Sequence, residues 1–459
     1  MKIAGNLFLL FFISTFTLFP EPLVYEITIV QAGEMAISAS QEMQTEYALR
    51  SISERTWLLG RFEYFPKLTI SAYEDERLSK VSTDSFLKTY SVGIDQLVFD
   101  GGRLLSSRKI QKSQIAFQSN NLERKAAEIA DTAVSAYRKI LAARETLLIQ
   151  EENYKALKEQ RRIMASEFEL GFALETDLAE ADISIREADI ELLTLNIDLQ
   201  EMEKQFSEML GLNEMPLLKD KIDVNYSITL PSVDSVKSAA LTRNPDVLTA
   251  RLSIKQKKEE AKLASLSWMP TLRANGTFTL AGNRYPLTRY NWSVGLSLDF
   301  ASPWLSGKGA VSTGFEGNHE QNFRLQGSAV PFSSPASSLD PLSKKIMLTL
   351  EQTKYNLNVE RIGRTAEMAV EKCIFTVKKR NIAIETLDLA KHRLRLSNLK
   401  HDLGQMTSID LMKAQIEYAQ KGTEVIQAAI AVLEAERGLE KLLDLRPGEL
   451  KYFTDLKKY

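Results

Sequence analysis

The 459-residue chain carries one pattern twice, and this duplication limits what it can fold into more than any other feature. Gly171 precedes Asp177 by six residues in FELGFALETDL, and Gly404 precedes Asp410 by six residues in HDLGQMTSIDL. The two glycines are 233 residues apart, and the sequence that follows them aligns without a gap. Self-similarity over such a distance predicts two copies of one structural unit.

Each unit is predicted to contain a short helical segment, two strands, a long helix and a return helix. The first repeat occupies 23–212 and the second 233–445, with an equatorial linker at 213–232 between them and a tail at 446–459. In the first repeat we expect strands at about 66–75 and 89–99, a long helix at 103–170 and a return helix at 175–210. The second has strands at about 270–280 and 290–300, an insertion at 301–339, a long helix at 341–403 and a return helix at 408–444.

The predicted helices repeat apolar residues at every seventh position. In the return segment of the first repeat all ten a and d positions, from Leu178 to Met209, are apolar. A sustained seven-residue repeat predicts helices that pack side by side with a left-handed supercoil. At 1.5 Å per residue each long helix would extend for roughly 100 Å, so each repeat is a tall helical hairpin.

The two glycines mark the points where the long helices must reverse direction. Glycine readily adopts the left-handed conformation that ends a helix, so we expect Gly171 and Gly404 to end the long helices. Four side chains suited to capping the return helices come next in the sequence: Thr176, Asp177, Ser408 and Asp410.

The stretch NWSVGLSLDF at 291–300 alternates apolar and polar residues. Its apolar side chains would share one face of a strand: Trp292, Val294, Leu296 and Leu298. This pattern is typical of a lipid-facing barrel strand and equally of any half-buried strand. Four strands per chain cannot close a barrel, because the smallest transmembrane barrels have eight. The strands therefore either form a soluble sheet or are pooled by several chains, and three chains would supply twelve.

The first 22 residues have the composition of an export signal. Lys2 precedes an apolar run from about Leu7 to Phe19, and this run is short for a membrane-spanning helix. We predict a signal peptide at 1–22. The insertion at 301–339 is rich in Ser, Gly and Pro, so we expect mostly loop there, with room for a short extra hairpin.

Little in the composition indicates catalysis or cofactor binding. The formal net charge of -2 gives no electrostatic case for nucleic acid. The one cysteine, Cys373, falls on a helical seam and is predicted to be a small core residue. The spacing of His392 and His401 does not suit a metal pair on one helix face, and His319 stands apart. We therefore expect no enzyme, no cofactor and no metal site.

The order and spacing of several segments resemble the outer-membrane efflux channel family, the TolC-like outer membrane factors. The segments are the duplicated unit with its two glycine–aspartate turns, FPKLTISA (65–72), MPTLRANG (269–276), YSVGIDQLVFDGGR from residue 90, and TRNPDVLTARLSIKQKKEEAKLASLSWMP from residue 242. The resemblance implies a mainly α fold with a small β part. It implies a homotrimer that forms a 12-stranded β-barrel in outer-membrane lipid, on top of an α-helical barrel that spans into the periplasm.

The resemblance also implies a function and partners. The trimer would export small molecules and/or proteins, as in efflux or type I secretion, together with a periplasmic adaptor (membrane fusion protein) and an inner-membrane efflux pump or ABC transporter. The alternative is a periplasmic coiled-coil scaffold or adaptor without a pore.

Specific residues can be assigned by matching the family motif. Asp410 matches a position where acidic side chains line the periplasmic pore constriction, and Asp177 is its counterpart in the first repeat; the alternative role for Asp410 is a helix cap only. Lys413 departs from members that carry a second aspartate there. The resemblance implies that the adaptor docks on the periplasmic tip turns, at Gly171, Gly404, Leu170, Leu403, Thr176 and Ser408.

Overall fold

A computed structural model describes residues 26–77, 85–316 and 320–453. The predicted signal peptide at 1–22 and His319 lie outside the described residues. Among the described helices, none combines the length and the apolar character needed to cross a membrane.

The helices are, in chain order, α1 (Ile29–Ala39), α2 (Gln41–Leu59), α3 (Arg103–Glu169), α4 (Glu175–Leu210), α5 (Val233–Arg243), α6 (Pro245–Ser265), α7 (Leu339–Asp402), α8 (Ser408–Leu442) and α9 (Leu450–Phe453). The strands are β1 (Glu26–Ile27), β2 (Lys67–Arg77), β3 (Ser85–Phe99), β4 (Leu217–Leu218), β5 (Thr271–Gly282), β6 (Arg289–Ala301), β7 (Leu305–Glu316) and β8 (Glu320–Pro331). Short 3-10 turns at Gly60–Tyr64 and Pro335–Ser338 connect helical and strand segments. The predicted fold class, mainly α with a small β part, is confirmed.

The long helices form two antiparallel hairpins that lie side by side. Helix α3 packs against α4, α7 packs against α8, and α3 also packs against α8, so the four columns run in the order α4–α3–α8–α7. The apolar heptad positions of α4 lie in this seam, where Ala181, Ala188 and Phe206 are buried. Helices α4 and α7 are therefore the two open edges of a four-column helical layer.

The short helices continue these columns away from the hairpin turns. Helices α1 and α2 pack on α3, and α5 and α6 pack on α7 or α3. Asn244 connects two elements, because its side chain caps α6 through the amide of Asp246 and donates to the carbonyl of Leu442 at the end of α8. In each half, therefore, a pair of short helices lies beyond the end of the return helix.

Cys373 lies in the core shared by α5, α7 and α8 and is fully buried, as the sequence predicts. Burial raises the pKa of its thiol to about 11. The thiol stays protonated at neutral pH and fills space as a small apolar group.

One antiparallel sheet of six strands, in the order β2-β3-β5-β6-β7-β8, stands at the end of the helical layer that is opposite the hairpin turns. The four strands that the duplication predicts are present as β2, β3, β5 and β6. The insertion at 301–339, expected to be mostly loop with room for a short hairpin, contains the hairpin β7–β8 with twelve residues in each strand, so the expectation of mostly loop is wrong. Small residues had suggested a loop, but at alternate positions they also allow close strand packing.

A charged cluster is buried where α8 crosses α3, midway along the helical layer. Arg437 contacts Asp131 at 2.6 Å and Glu440 at 3.0 Å. Glu436, which directly precedes Arg437 and lies one turn before Glu440, is also buried and accepts a hydrogen bond of 2.9 Å from the hydroxyl of Tyr226 in the linker. Burial raises the pKa of the Glu436 carboxyl above its usual value, so its ionised form is disfavoured in the folded chain.

We predict that Glu436→Gln changes how stability depends on pH. A carboxyl with a raised folded pKa contributes stability below its unfolded pKa, and this contribution is lost as pH rises through the folded pKa. The wild type should therefore lose stability relative to Glu436→Gln as the pH rises above about 4.5, the ordinary pKa of a glutamate side chain. Thermal unfolding between pH 4 and 8 measures this, with Glu434→Gln, a position on the same helix outside the charged cluster, as the control. Parallel wild-type and Glu436→Gln curves would contradict the prediction.

Candidate functional site

The two hairpin turns, here called the tips, have nearly the same backbone. Gly171 has a φ of 81° and Gly404 a φ of 69°, so both adopt the left-handed conformation that the sequence predicts. At each tip the glycine amide and the following amide donate back to the last helical turn, at 3.0 and 2.8 Å in the first and 2.9 and 2.8 Å in the second. This paired pattern is how a left-handed residue ends a helix.

The starts of the return helices differ, and the predicted caps need correction. Helix α8 is capped by Thr407, whose hydroxyl accepts from the amide of Asp410 and donates to its carboxylate at 2.7 Å. Leu174 occupies the cap position of α4 and makes no side-chain bond. Thr176, Asp177, Ser408 and Asp410 all lie inside the first turns instead. Six-residue spacing located the turns correctly but placed the caps one to three residues too late.

The acidic residues of the two tips lie around one lysine. Lys413 binds Glu180 at 2.9 Å, which joins α8 to α4 across the two repeats. The Glu180 carboxylate raises the pKa of Lys413, and Asp410 and Asp177 act on it in the same direction through their charge. Both aspartates therefore lie near Lys413. The packing of the two repeats thus brings together two of the site residues that the sequence predicts. Lys413 partly offsets a cluster of three carboxylates.

Ser408 cannot serve as an exposed docking residue, because it is buried between helices. Its hydroxyl donates to Glu167 on α3 at 2.6 Å and lies 2.8 Å from the ring Nε2 of His401 on α7. Ser408 therefore joins three long helices just above the tips, and its predicted place on the docking surface is corrected to an internal one.

The surface of the first tip is more apolar than that of the second. Leu170, Phe172 and Leu174 project into solvent, with 84% of Phe172 exposed. In the second tip Leu403 is exposed, but Gln405 and Thr407 stand where the first tip has Phe172 and Leu174. Three neighbouring apolar side chains on one turn make a small surface suited to contact with another protein.

Both open edges of the helical layer carry exposed apolar side chains, a feature that the sequence analysis did not identify. On α7 and its C-terminal cap residue they recur at every seventh position and define the α7 stripe: Met368, Phe375, Ile382, Leu389, Leu396 and Leu403. On α4 they define the α4 stripe: Ile183, Ile190, Leu193 and Ile197. The strict seven-residue spacing on α7 is legible in the sequence, but the spacing alone does not separate a buried seam from an outer edge.

The sheet has one apolar and one polar face. Trp292, Val294, Leu296 and Leu298 share the apolar face and are between 39% and 56% exposed. Residues of the neighbouring strand that share their face are Leu272, Ala274, Gly276 and Phe278. The opposite face carries Asp95 and Arg273, joined in an ion pair, together with Asn275 and Asp299.

Aromatic side chains lie near both ends of this apolar face. At the end towards the helices, Trp304 meets Phe332 edge-on with ring centres 6.4 Å apart. At the far end, the hydroxyls of Tyr90 and Tyr285 contact each other, and Tyr285 also donates to Glu74 at 2.8 Å. An apolar band flanked by aromatic residues is the arrangement of a transmembrane barrel wall.

The described part of the chain offers no group of three or more His, Cys, Asp and Glu side chains that could hold a metal ion.

Residues 36–212 match the family described as outer membrane efflux protein. This segment forms an outer membrane efflux protein domain. The match ends at Leu212, where the first repeat of the sequence ends. The resemblance to the outer-membrane efflux channels is thereby confirmed, and with it the location in the outer membrane.

A curated relative of this efflux protein domain carries the same family description. It is the outer membrane efflux protein BepC of Brucella suis biovar 1 (strain 1330), which is 24% identical over 225 residues. That match covers 48% of this chain and 48% of BepC, so it spans about half the length of the curated relative.

Solved structures with the same fold cover nearly the whole chain. CusC superposes with a TM-score of 0.75 at 12% identity, over 90% of this chain and 91% of that one. VceC of Vibrio cholerae gives 0.71 at 11%, over 90% and 95%. The MtrE outer membrane channel of Neisseria gonorrhoeae, in its open state, gives 0.71 at 15%, over 91% and 89%. At these identities the likeness shows the fold.

We predict that Thr407→Ala loosens the start of α8, whereas Thr176→Ala leaves the start of α4 unchanged. Only Thr407 makes the capping bond, and loss of such a bond costs about 1 kcal/mol. Hydrogen exchange of the amides at 408–412 and at 175–179 measures this, with roughly five-fold faster exchange expected for Thr407→Ala alone. Equal effects of the two substitutions would show that the assigned cap is wrong.

Proposed function

We propose that three copies of the chain form a channel-tunnel that exports small molecules and/or proteins across the periplasm and the outer membrane. The observation that carries this proposal is the pair of exposed stripes on α4 and α7. A single chain leaves both stripes in water, whereas a ring of chains buries the α7 stripe of each copy against the α4 stripe of the next.

The two stripes match in level. Counted from the tips at 1.5 Å per residue, Leu396, Leu389 and Ile382 lie at about 9, 20 and 30 Å. Ile183, Ile190 and Ile197 lie at about 12, 22 and 33 Å on the same scale. Helix α7 runs towards the tips and α4 runs away from them, so the pair is antiparallel like the hairpins within the chain. The contact between copies would thus repeat the packing within one copy.

The apolar edge continues beyond the hairpins towards the sheet. The upper half of α7 exposes Leu342, Ile346, Leu350 and Leu357. Helix α2, in the column above α4, exposes Tyr47, Ile52 and Leu59. A contact between copies along the full height supports a tunnel with a continuous wall.

The number three comes from the family resemblance. Four columns per chain give twelve columns in a trimer, which encloses a central space too wide for side chains to fill. The apolar face of the sheet would meet outer-membrane lipid through Trp292, Val294, Leu296 and Leu298. Closure by other copies is needed there, since open strand edges do not occur in lipid.

The partners proposed are a periplasmic adaptor and an inner-membrane pump or ABC transporter. The exposed Leu170, Phe172 and Leu174 of the first tip support an apolar docking surface for the adaptor. Gly171, Gly404, Leu403 and Thr176 would shape or border it.

Asp410 and Asp177 are proposed to line a constriction at the tips. In a trimer each carboxylate occurs three times around the axis, and such rings attract cations. Because Lys413 is held by Glu180, it does not neutralise Asp410 directly. The ring would therefore retain negative charge.

We predict that Leu389→Glu in the α7 stripe prevents trimer formation. The substitution places a carboxylate in an apolar contact where it has no partner, which costs several kcal/mol at each of three interfaces. Native mass spectrometry in detergent should show monomers for this variant and trimers for the wild type. Lys391→Glu introduces the same residue at an exposed position off the stripe and should remain trimeric. Trimers that survive Leu389→Glu would argue against this interface.

We predict that Asp410→Asn weakens block of the channel by divalent cations by about tenfold, equivalent to about 1.4 kcal/mol. Asparagine retains an oxygen that can accept from Thr407, so charge is removed while the helix start is preserved. Single-channel recordings in planar bilayers provide the measurement. Asp402→Asn, at an exposed acidic residue beside the same tip, is the control and should leave block unchanged. Unaltered block in Asp410→Asn would assign Asp410 to the helix start alone.

A further inference from the structure

The hairpin β7–β8 lies on the edge of β6, and this position decides how copies of the sheet can join. We propose that β8 of one copy pairs with β2 of the next, so that the trimer closes an eighteen-stranded barrel instead of a twelve-stranded one. The proposal rests on the trimeric channel proposed above and identifies the strands through which its copies meet.

The hairpin continues the sheet with regular pairing. Strand β7 pairs with β6 from Trp292 opposite Phe315 to Ala301 opposite Ser306 without a register shift. Strand β8 pairs with β7 along its whole length, from Glu316 opposite Glu320 to Leu305 opposite Pro331. The pairing of β7 and β8 is as long as that of the four strands predicted from the sequence. The hairpin is therefore part of the sheet and not a short loop beside it.

The two faces of the sheet also continue across the hairpin. On the face of Trp292 and Leu296 lie Phe315 and Val311 of β7, followed by Phe323 and Leu325 of β8. The opposite, polar face continues with Ser312 and Lys308 of β7, and with Arg324, Gln326 and Ser328 of β8. A hairpin lying in water or in the lumen would have no reason to keep one face apolar in phase with its neighbours.

Close packing fixes β7 on β6. A Cβ atom at Gly314 would overlap the carbonyl oxygen of Trp292, and one at Gly307 would lie 2.6 Å from the ring of Phe300. Only glycine fits at these two positions, and the Phe300 ring covers the space that a side chain at 307 would fill. The sequence GKGAVSTG, which looks like a loop, is thus suited to this contact.

The two edge strands of the six-stranded sheet match in length and direction. Strands β2 and β8 are the outer strands and contain eleven and twelve residues. Strand β2 begins, and β8 ends, at the side of the sheet nearest the helices, so the two would meet antiparallel. Unpaired backbone groups are strongly unfavourable in lipid, which excludes an open edge along β8.

The consequence is a wider barrel. Diameter grows roughly linearly with the number of strands, so eighteen strands give a wall about 1.5 times as wide as twelve at the same tilt. Because the wider wall encloses more water, the constriction at the tips would account for a larger share of the resistance to flow.

Disulfide trapping between copies tests the proposal. In a Cys373→Ser background, Ile70→Cys on β2 is combined in turn with Phe323→Cys, Leu325→Cys, Gly327→Cys or Ala329→Cys on β8. A matched series combines Ile70→Cys with Trp292→Cys, Val294→Cys, Leu296→Cys or Leu298→Cys on β6. A bridge requires Cα atoms within about 7 Å, so each series reports one pairing.

We expect covalently linked copies from at least one β8 combination and none from the β6 series. Links formed only through β6 would overturn the eighteen-stranded barrel while leaving the trimeric channel in place. Native gels of the same samples separate the two proposals, because absence of any trimer would overturn the proposed function itself. A cryo-electron microscopy map of the wild type in lipid nanodiscs counts the strands independently: eighteen supports the inference and twelve rejects it.

Discussion

The structure depends on apolar helix edges that one chain cannot cover. Helices α3 and α8 bury both their flanks within the chain, but α4 and α7 each bury one flank and expose a regular apolar stripe on the other. In the proposed trimer these edges meet, because the α7 stripe of each copy is covered by the α4 stripe of the next. The same requirement applies to the sheet above, whose outer strands carry unpaired backbone groups. In the proposed channel, assembly is in this sense part of the fold.

The duplication explains most of the architecture, and its imperfections carry the functional detail. Both tips use a left-handed glycine in the same way, yet only the second has a threonine cap and only the first an exposed phenylalanine. The lysine that departs from the family pattern proves to hold a glutamate of the other repeat. The two copies of the unit have therefore diverged at their tips, the first being more apolar and the second more polar.

Sequence reasoning recovered the fold because its signals were long and repeated. Heptads over dozens of residues and two glycines 233 residues apart leave few alternatives. It failed where a short pattern has two meanings. GKGAVSTG suggested a loop, but its glycines pack β7 on β6. Ser408 suggested a surface cap, but contacts with Glu167 and His401 bury it. The contacts of Ser408 depend on how α3, α7 and α8 pack together, and the sequence around Ser408 does not reveal them.

The most direct test of the account is a disulfide between the two stripes. Ile190→Cys and Leu389→Cys, at matching levels on α4 and α7, are introduced together in a Cys373→Ser background and oxidised in the purified protein. The account predicts a covalent trimer on a denaturing gel, while either cysteine alone gives monomers. A double variant that remains monomeric, in a sample whose native mass is that of a single chain, would contradict the account.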